Sequence, residues 1–405
     1  MIATLRFLVL QIGARMHYAV PALLAEAGML EHFYTDICGN VGFPKLIDDV
    51  APKSVQPAAL KRLLGRQLPP EIPTEKVTTC SLTTIASYFQ KTRSRKNLIE
   101  ETLKHKVLKD NFRNANAIYT NLINSDLDLV AKAREQGISI AFEAFISPEV
   151  PYILQKERDL VPGLEPQDPQ QEIQEGTERD RLKWSYSDLI IVPSEFVRDG
   201  IVRLGGDPNR IAIVPYGISQ QWLSYQNQPQ KGRILFVGTV GLRKGNHYLA
   251  EATRCLQQRH IQFKMRVVGP YSPEILDRPE FQGPTYIGQI PRSEVKQEFI
   301  QADFFVLPTL CEGMATVHLE ALACGLPVIT TPNCGSVVRD GIDGFIVPIR
   351  DSQTLADRIE QLLTNRALRD RMSHNAKERA KQFTWQQYRE NLLAAFRGLE
   401  VISDE

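Results

Sequence analysis

Short runs of β-branched and aromatic residues alternate with longer amphipathic stretches along the whole chain. The apolar runs LRFLVLQI, LEHFYTD, ANAIYT, ISIAFEA, DLIIVP and RIAIVP predict strands before residue 217. RILFVG, FKMRVVG, PTYIGQI, DFFVLPT, PVITT and GFIVP predict a second set after it. Between them, stretches such as EFVRDGIVRLG and SQTLADRIEQLLTNRALRDRMSHNAKERAKQF carry helical periodicity. Near-continuous apolar strands that alternate with helices predict parallel sheets covered on both faces, an α/β protein. Two comparable sets predict two doubly wound domains, joined near VPYGISQQW at 214–222, where a strand ends in glycine and polar residues follow. If the two sheets face one another, a ligand crevice lies at the carboxyl ends of their strands. EIPTEKVTT and GLEPQDPQQEIQEG, rich in Pro, Gln and Glu, read as loops, and no solenoid repeat is present.

The length of 405 residues also favours two domains over one core. A formal net charge of +1 argues against a general nucleic-acid binder, and no apolar run approaches a membrane span. LRFLVLQIG reads as a buried first strand rather than a leader, because it is short, Arg6 interrupts it and no small-x-small site follows. Six scattered cysteines without a C-x-x-C pair point to reduced thiols in a cytoplasmic protein. From Ala51 to Arg113 there are 13 basic against 5 acidic residues, and from Glu143 to Asp180 there are 10 acidic against 3 basic. Within the basic stretch, residues 91–113 space Leu98, Leu103, Val107 and Leu108 as on a helix. Such a helix is either a solvated face or a peripheral contact with an anionic membrane surface or acceptor.

Candidate chemistry follows predicted strands. After DFFVLPT comes CEGMATVHLEALACGLPVITT, which reads as a loop and a short helix over Ala315–Cys324, stopped by Gly325 with Pro327 beyond. A helix start at Gly313, Met314 and Ala315 offers backbone N–H groups and a positive dipole end to an anion. Glu320 sits about 7.5 Å further along the helix axis, roughly the span from a terminal phosphate to a ribose. A carboxylate only accepts hydrogen bonds, which suits a vicinal diol, while Glu312 at the loop end would reach hydroxyls of a group on that phosphate. In RILFVGTVGLRKGNHYLAEA, a strand ends at Gly238 and Arg243 and Lys244 follow, two cations able to neutralise a pyrophosphate without a metal. The loop lacks the Gly-Lys-Ser/Thr of a P-loop. After the first strand, Gly13 would permit a tight turn that turns Arg15 and His17 toward the cleft, and no G-x-G-x-x-G follows.

The stretch from Glu312 through LEALACGLPVI resembles the signature of glycosyltransferase family 4, retaining enzymes of the GT-B fold. The resemblance extends through YSDLIIVPSEFVRDGIVRLGGDPNRIAIVPYGIS, VVGP (267–270) and YIGQIPRSEV (286–295), and is thin from about Val41 to Asn114. It implies two facing Rossmann-like domains. Residues 1–217 would bind the acceptor, 218–384 would bind the nucleotide-sugar donor, and 385–405 would form a helix crossing back to the N-terminal domain. It implies net retention by a metal-independent hexosyltransferase, with Glu312, Lys244 and Arg243 at the reaction centre. Gly238, Thr239, Gly269, Gly288, Gly313, Met314, Ala315 and Glu320 would lie on the donor, with Glu320 on the ribose. Gly13, Ala14, Arg15, His17 and Glu143 would lie on the acceptor side.

Two departures stand out. Thr239 occupies a position where the family usually has Arg, leaving Arg243 to fill that charge. ISIAFEAFISPEV offers Glu143 where many relatives carry a reaction-centre His. Asp126 and Asp128 form a D-x-D pattern, but Ser125 can cap a helix with both aspartates in its first turn, so no metal is expected. No cofactor is expected either; a nucleotide-diphosphate sugar, with a UDP-sugar the first candidate, is the co-substrate. The acceptor would be a glycan, a lipid-linked saccharide or a small molecule, in polysaccharide biosynthesis, with no nucleic-acid partner. The protein would be cytoplasmic, with contact at the inner membrane surface through 91–113. A sugar-nucleotide epimerase of the same architecture and a non-catalytic nucleotide-sugar binder remain open.

Overall fold

The computed structural model describes residues 4–42, 44, 64–87, 92–122 and 126–399. Seven strands form the first sheet: β1 (Phe7–Gln11), β2 (Leu30–Thr35), β3 (Val77–Thr79), β4 (Ala117–Thr120), β5 (Ser139–Glu143), β6 (Leu189–Val192) and β7 (Ile211–Ile213). All pair in parallel, in the order β3-β2-β1-β4-β5-β6-β7. Six form the second: β8 (Arg233–Val237), β9 (Lys264–Val268), β10 (Thr285–Gly288), β11 (Phe304–Leu307), β12 (Val328–Thr330) and β13 (Gly344–Ile346). Their order is β10-β9-β8-β11-β12-β13, again parallel throughout. Every residue of β1, β4, β5, β6 and β11 is buried, as expected of strands covered on both faces.

The order reverses between β1 and β4 in the first sheet and between β8 and β11 in the second, the places where doubly wound sheets leave a crevice. The loops after these four strands carry Gly13, Asn121, Gly238 to Gly245, and Thr309 to Ala315. The two halves pack directly on one another. A Cβ on Gly313 would lie 1.7 Å from the carbonyl oxygen of Phe145, so only glycine admits this approach. Ser194 Oγ donates to Gly313 O at 2.6 Å, and the backbone N–H of Tyr216 meets Met314 Sδ at 3.2 Å. Glu157, fully buried, accepts from His247 Nε2 (2.7 Å), Tyr248 OH (2.7 Å) and Arg350 Nε (2.6 Å) across the same divide.

The C-terminal helix Trp385–Phe396 returns to the first sheet. Phe396 packs on Phe7 with ring centroids 4.5 Å apart and stands edge-on to Tyr119 at 6.3 Å. Thr384 caps this helix through Oγ1, and the Ile218 N–H donates to Phe383 O at 2.8 Å where the chain passes between halves.

Several local expectations are corrected. EIPTEKVTT is not all loop, since Val77–Thr79 add an edge strand beside β2. GLEPQDPQQEIQEG turns helical at Gln170 and runs to Tyr186, burying Ile173, Thr177, Lys183 and Trp184. The helix after β4 begins at Leu127, so Asp126 precedes its first turn. Its carboxylate accepts from Thr120 Oγ1 (3.0 Å) and pairs with buried Lys183 at 2.6 Å. Ser125 lies outside the described residues. In the basic helix Thr92–Lys109, Leu103 and Val107 are buried in the domain core and Leu98 is exposed, so most of the apolar stripe faces the fold itself. Among the described residues, no helix is long and apolar enough to cross a membrane.

Candidate functional site

The loop after β8 is stitched to the loop after β11. The carbonyl oxygen of Arg243 accepts from the Leu310 N–H at 2.8 Å and from Thr309 Oγ1 at 2.9 Å. That backbone pairing directs both side chains to one point. Arg243 Nη1 lies 2.9 Å and Lys244 Nζ 2.7 Å from the same oxygen, Oε1 of Glu312. Two cations against one carboxylate leave one positive charge to meet an anion, and the Glu312 and Lys244 side chains are each only about a tenth exposed. The three candidates for the reaction centre therefore stand together.

Beside them lies a cavity of about 380 Å³, walled by Gly238 and Thr239 after β8, Gly269 and Pro270 after β9, and Thr316, Val317 and Glu320 on the helix. Gly269 is needed for the close approach of two strand exits, since a Cβ there would sit 2.0 Å from the carbonyl oxygen of Gly238. Its N–H donates to Gly288 O at 3.0 Å, which places Gly288 behind the wall. The helix runs Thr316–Ala323, one residue shorter than expected at each end. The N–H groups of Glu312 and Ala315 are already taken by Asn333 O (2.8 Å) and Cys334 O (3.2 Å). Ala315 thus drops out as an amide donor, and Thr316 and Val317, the first residues of the helix, line the cavity.

Glu320 is buried on the cavity floor, and Arg292 Nη2 reaches it at 3.0 Å. Burial pushes its carboxyl above the ordinary value, against the opposing pull of Arg292. The Arg292 side chain is 76% exposed, so its guanidinium can swing away and leave the carboxylate to hydroxyl donors. Nothing in the local pattern IPRSEV flags Arg292, which reaches Glu320 only through the fold. His318 is fully buried and packs edge-on to Phe305. Burial, with Lys244 nearby, lowers it to about 3, so it is neutral.

The acceptor-side candidates are distributed differently. Arg15 does not point freely into the cleft, because Nε and Nη2 grip Glu143 at 3.1 and 2.9 Å. Glu143 also accepts from Tyr119 OH (2.7 Å), Asn121 Nδ2 (3.2 Å) and Tyr216 OH (3.2 Å). Burial alone would raise its carboxyl, but the charge and bonds of Arg15, with Tyr119 and Asn121, hold it below the ordinary value. Arg15 also donates to Tyr216 OH and lies over the Phe145 ring at 4.1 Å. The N–H of Gly13 is engaged by Asp36 Oδ1 at 2.9 Å, and Ala14 packs on the core. His17 is exposed and lies in a left-handed run with Met16 and Tyr18 (φ 47°, 54° and 61°), backbone that costs energy and is characteristic of functional loops.

Residues 223–379 match the family model of the group 1 glycosyl transferases. The putative colanic acid biosynthesis glycosyltransferase WcaL of Salmonella typhimurium is 26% identical over 199 residues, 43% of this chain and 47% of that protein. The capsular polysaccharide biosynthesis glycosyltransferase CapM of Staphylococcus aureus is 30% identical over 166 residues, 38% of this chain and 44% of that protein. The chain thus spans about half the length of the curated relatives it matches. Two solved structures extend over nearly all of it. Anabaena HepE in complex with UDP and glucose has a TM-score of 0.64 at 16% identity, covering 98% of this chain and 100% of its own. Sucrose-phosphate synthase from Thermosynechococcus elongatus has a TM-score of 0.66 at 18% identity, with the same coverage. At these identities the likeness shows a shared fold, the two-domain GT-B architecture.

Proposed function

We propose, for a chain whose residues 223–379 match the model of the group 1 glycosyl transferases, that the whole protein transfers a sugar from a nucleotide-diphosphate sugar to an acceptor hydroxyl with retention. The observation that carries this reading is the convergence of Arg243, Lys244 and Glu312 beside a cavity floored by Glu320. The nucleotide would lie in that cavity, its ribose hydroxyls donating to Glu320 after Arg292 swings out. Its pyrophosphate would meet Lys244, Arg243 and the start of the helix Thr316–Ala323. A UDP-sugar is the first candidate donor, in keeping with HepE, whose structures hold UDP and UDP-glucose.

The bond from the anomeric carbon to the diphosphate breaks while the acceptor oxygen bonds to that carbon from the same face. The acceptor proton passes to the departing diphosphate oxygen, so no protein base is required. Lys244 and Arg243 stabilise the negative charge that grows on the leaving group, and Glu312 holds both cations in place while its free oxygen meets sugar hydroxyls. The acceptor would enter from the first domain, by way of the loops after β1, β4 and β5.

Incubation with UDP-glucose, GDP-mannose and ADP-glucose separately, with and without acceptors, tests the reading. Acceptor-dependent release of nucleoside diphosphate from one donor is expected. Release at the same rate without any acceptor would instead indicate hydrolysis or epimerisation.

A further inference from the structure

A second cavity, of about 350 Å³, lies in the first domain between the exit of β5 and the helix Gln170–Tyr186. Its floor is aromatic and buried, made by Phe142 and Trp184, with Phe145 at the side facing the second domain. Gly176 leaves a gap in the middle of the helix, where a Cβ would meet nothing within 4 Å. A glycine inside a helix weakens it relative to alanine, so the opening costs the fold stability.

The charge on the wall is one-sided. Glu143, Asp168, Glu172 and Asp180 line it against one cation, Arg179. Glu143 is held by Arg15, and Asp168 accepts from Arg158 at 2.7 Å. Among the described residues none donates a hydrogen bond to Asp180, on which Lys183 and Arg179 act only through space. With two of these carboxylates neutralised and Arg179 itself engaged, the wall offers a phosphate no spare cation, while a carboxylate that only accepts selects O–H donors. Flat aromatic surfaces suit the carbon face of a ring, and the volume matches the small end of ligand pockets.

We propose that this cavity binds the acceptor as a neutral, polyhydroxylated ring, a sugar or cyclitol carrying no phosphate, with Asp180 accepting from its hydroxyls. The assignment rests on the transfer reading above, because the wall from Glu143 to Ser147 is also the segment against which Gly313, next to Glu312, is packed. A ring seated here lies one loop away from the cluster of Arg243, Lys244 and Glu312.

The test is saturation-transfer NMR on the full chain with methyl α-glucoside and myo-inositol as neutral rings, and glucose 6-phosphate and inositol 1-phosphate as charged ones. Gly176→Leu fills the gap with a better helix former and keeps the fold. Binding of a neutral ring is expected, weaker by roughly tenfold in Gly176→Leu and in Asp180→Asn, with the phosphorylated rings bound less well. Tighter binding of the phosphorylated rings that is itself weakened in Gly176→Leu, undiminished binding of the neutral rings in Gly176→Leu, or no binding of either neutral ring at millimolar concentration overturns the proposal. The melting shift with UDP-, GDP- and ADP-sugars, measured on the same samples, reads the donor site separately. No shift with any of the three while ring binding is intact counts against the transfer reading and leaves the cavity standing as a site for a neutral ring.

Discussion

Glu143 and Lys244 show how differently two charged residues of one cleft serve the protein. Glu143 receives five hydrogen bonds from Arg15, Tyr119, Asn121 and Tyr216, so its contribution is to hold the β1, β4 and β5 exits together. Removing it strands the guanidinium of Arg15, and Glu143→Ala is expected to lower unfolding free energy in urea by about 3–5 kcal/mol. Among the described residues Lys244 pairs with Glu312, which keeps Arg243 when the lysine is lost. Lys244→Ala is therefore expected to lower kcat by about 10²–10³ with little change in melting temperature, the signature of a group used on the leaving diphosphate. Asp180 carries a pH dependence. Burial raises it from 3.8 to about 6, so the folded state holds a proton there that the unfolded chain has released. The stability it supports is complete below pH 3.8 and falls as pH rises to about 6. Wild type should lose stability over that window relative to Asp180→Asn, which is checked by urea titrations at fixed pH.

At the scale of elements, the strands that flank the cleft were legible because each is a dense apolar run followed by glycine or polar residues. β3 was not, since its three residues are only half-buried at a sheet edge and sit among Pro, Glu and Lys. The front half of the helix Gln170–Tyr186 was hidden for a related reason, with Ile173 and Thr177 its buried residues among Gln, Glu and Gly. In the site, Arg243, Lys244, Glu312 and Glu320 could be picked out because each follows a recognisable strand. The grip of Arg15 on Glu143, the reach of Arg292 to Glu320, and the Lys183–Asp126 pair join positions far apart in the chain, and no local pattern encodes them. The C-terminal helix makes its own contribution. Phe396 is fully buried between Phe7 and Tyr119, and Phe396→Ala should destabilise the protein by about 3–5 kcal/mol through the cavity it leaves.

Across the whole molecule, the two halves meet through an apolar cluster, in which Ile146, Val150 and Leu154 pack with Leu310, Cys311 and Tyr248, and through polar contacts beside it. Glu157 joins a first-domain helix to His247, Tyr248 and Arg350 of the second. Burial would raise its carboxyl, yet those three partners hold it below its ordinary value of 4.5. Its contribution is present above that pH and fades as pH falls through the folded value. Gly313, packed against Phe145, and Ser194, bonded to Gly313, place the proposed sugar-binding loop on the same contact surface. The central claim is that the second domain holds a nucleotide-sugar with its ribose on Glu320. It is tested most directly by the melting shift of the full chain with UDP-, GDP- and ADP-sugars in EDTA, beside Glu320→Ala. A shift with one nucleotide that disappears in Glu320→Ala is the predicted result. An undiminished shift in that variant, or no shift with any donor, would contradict it.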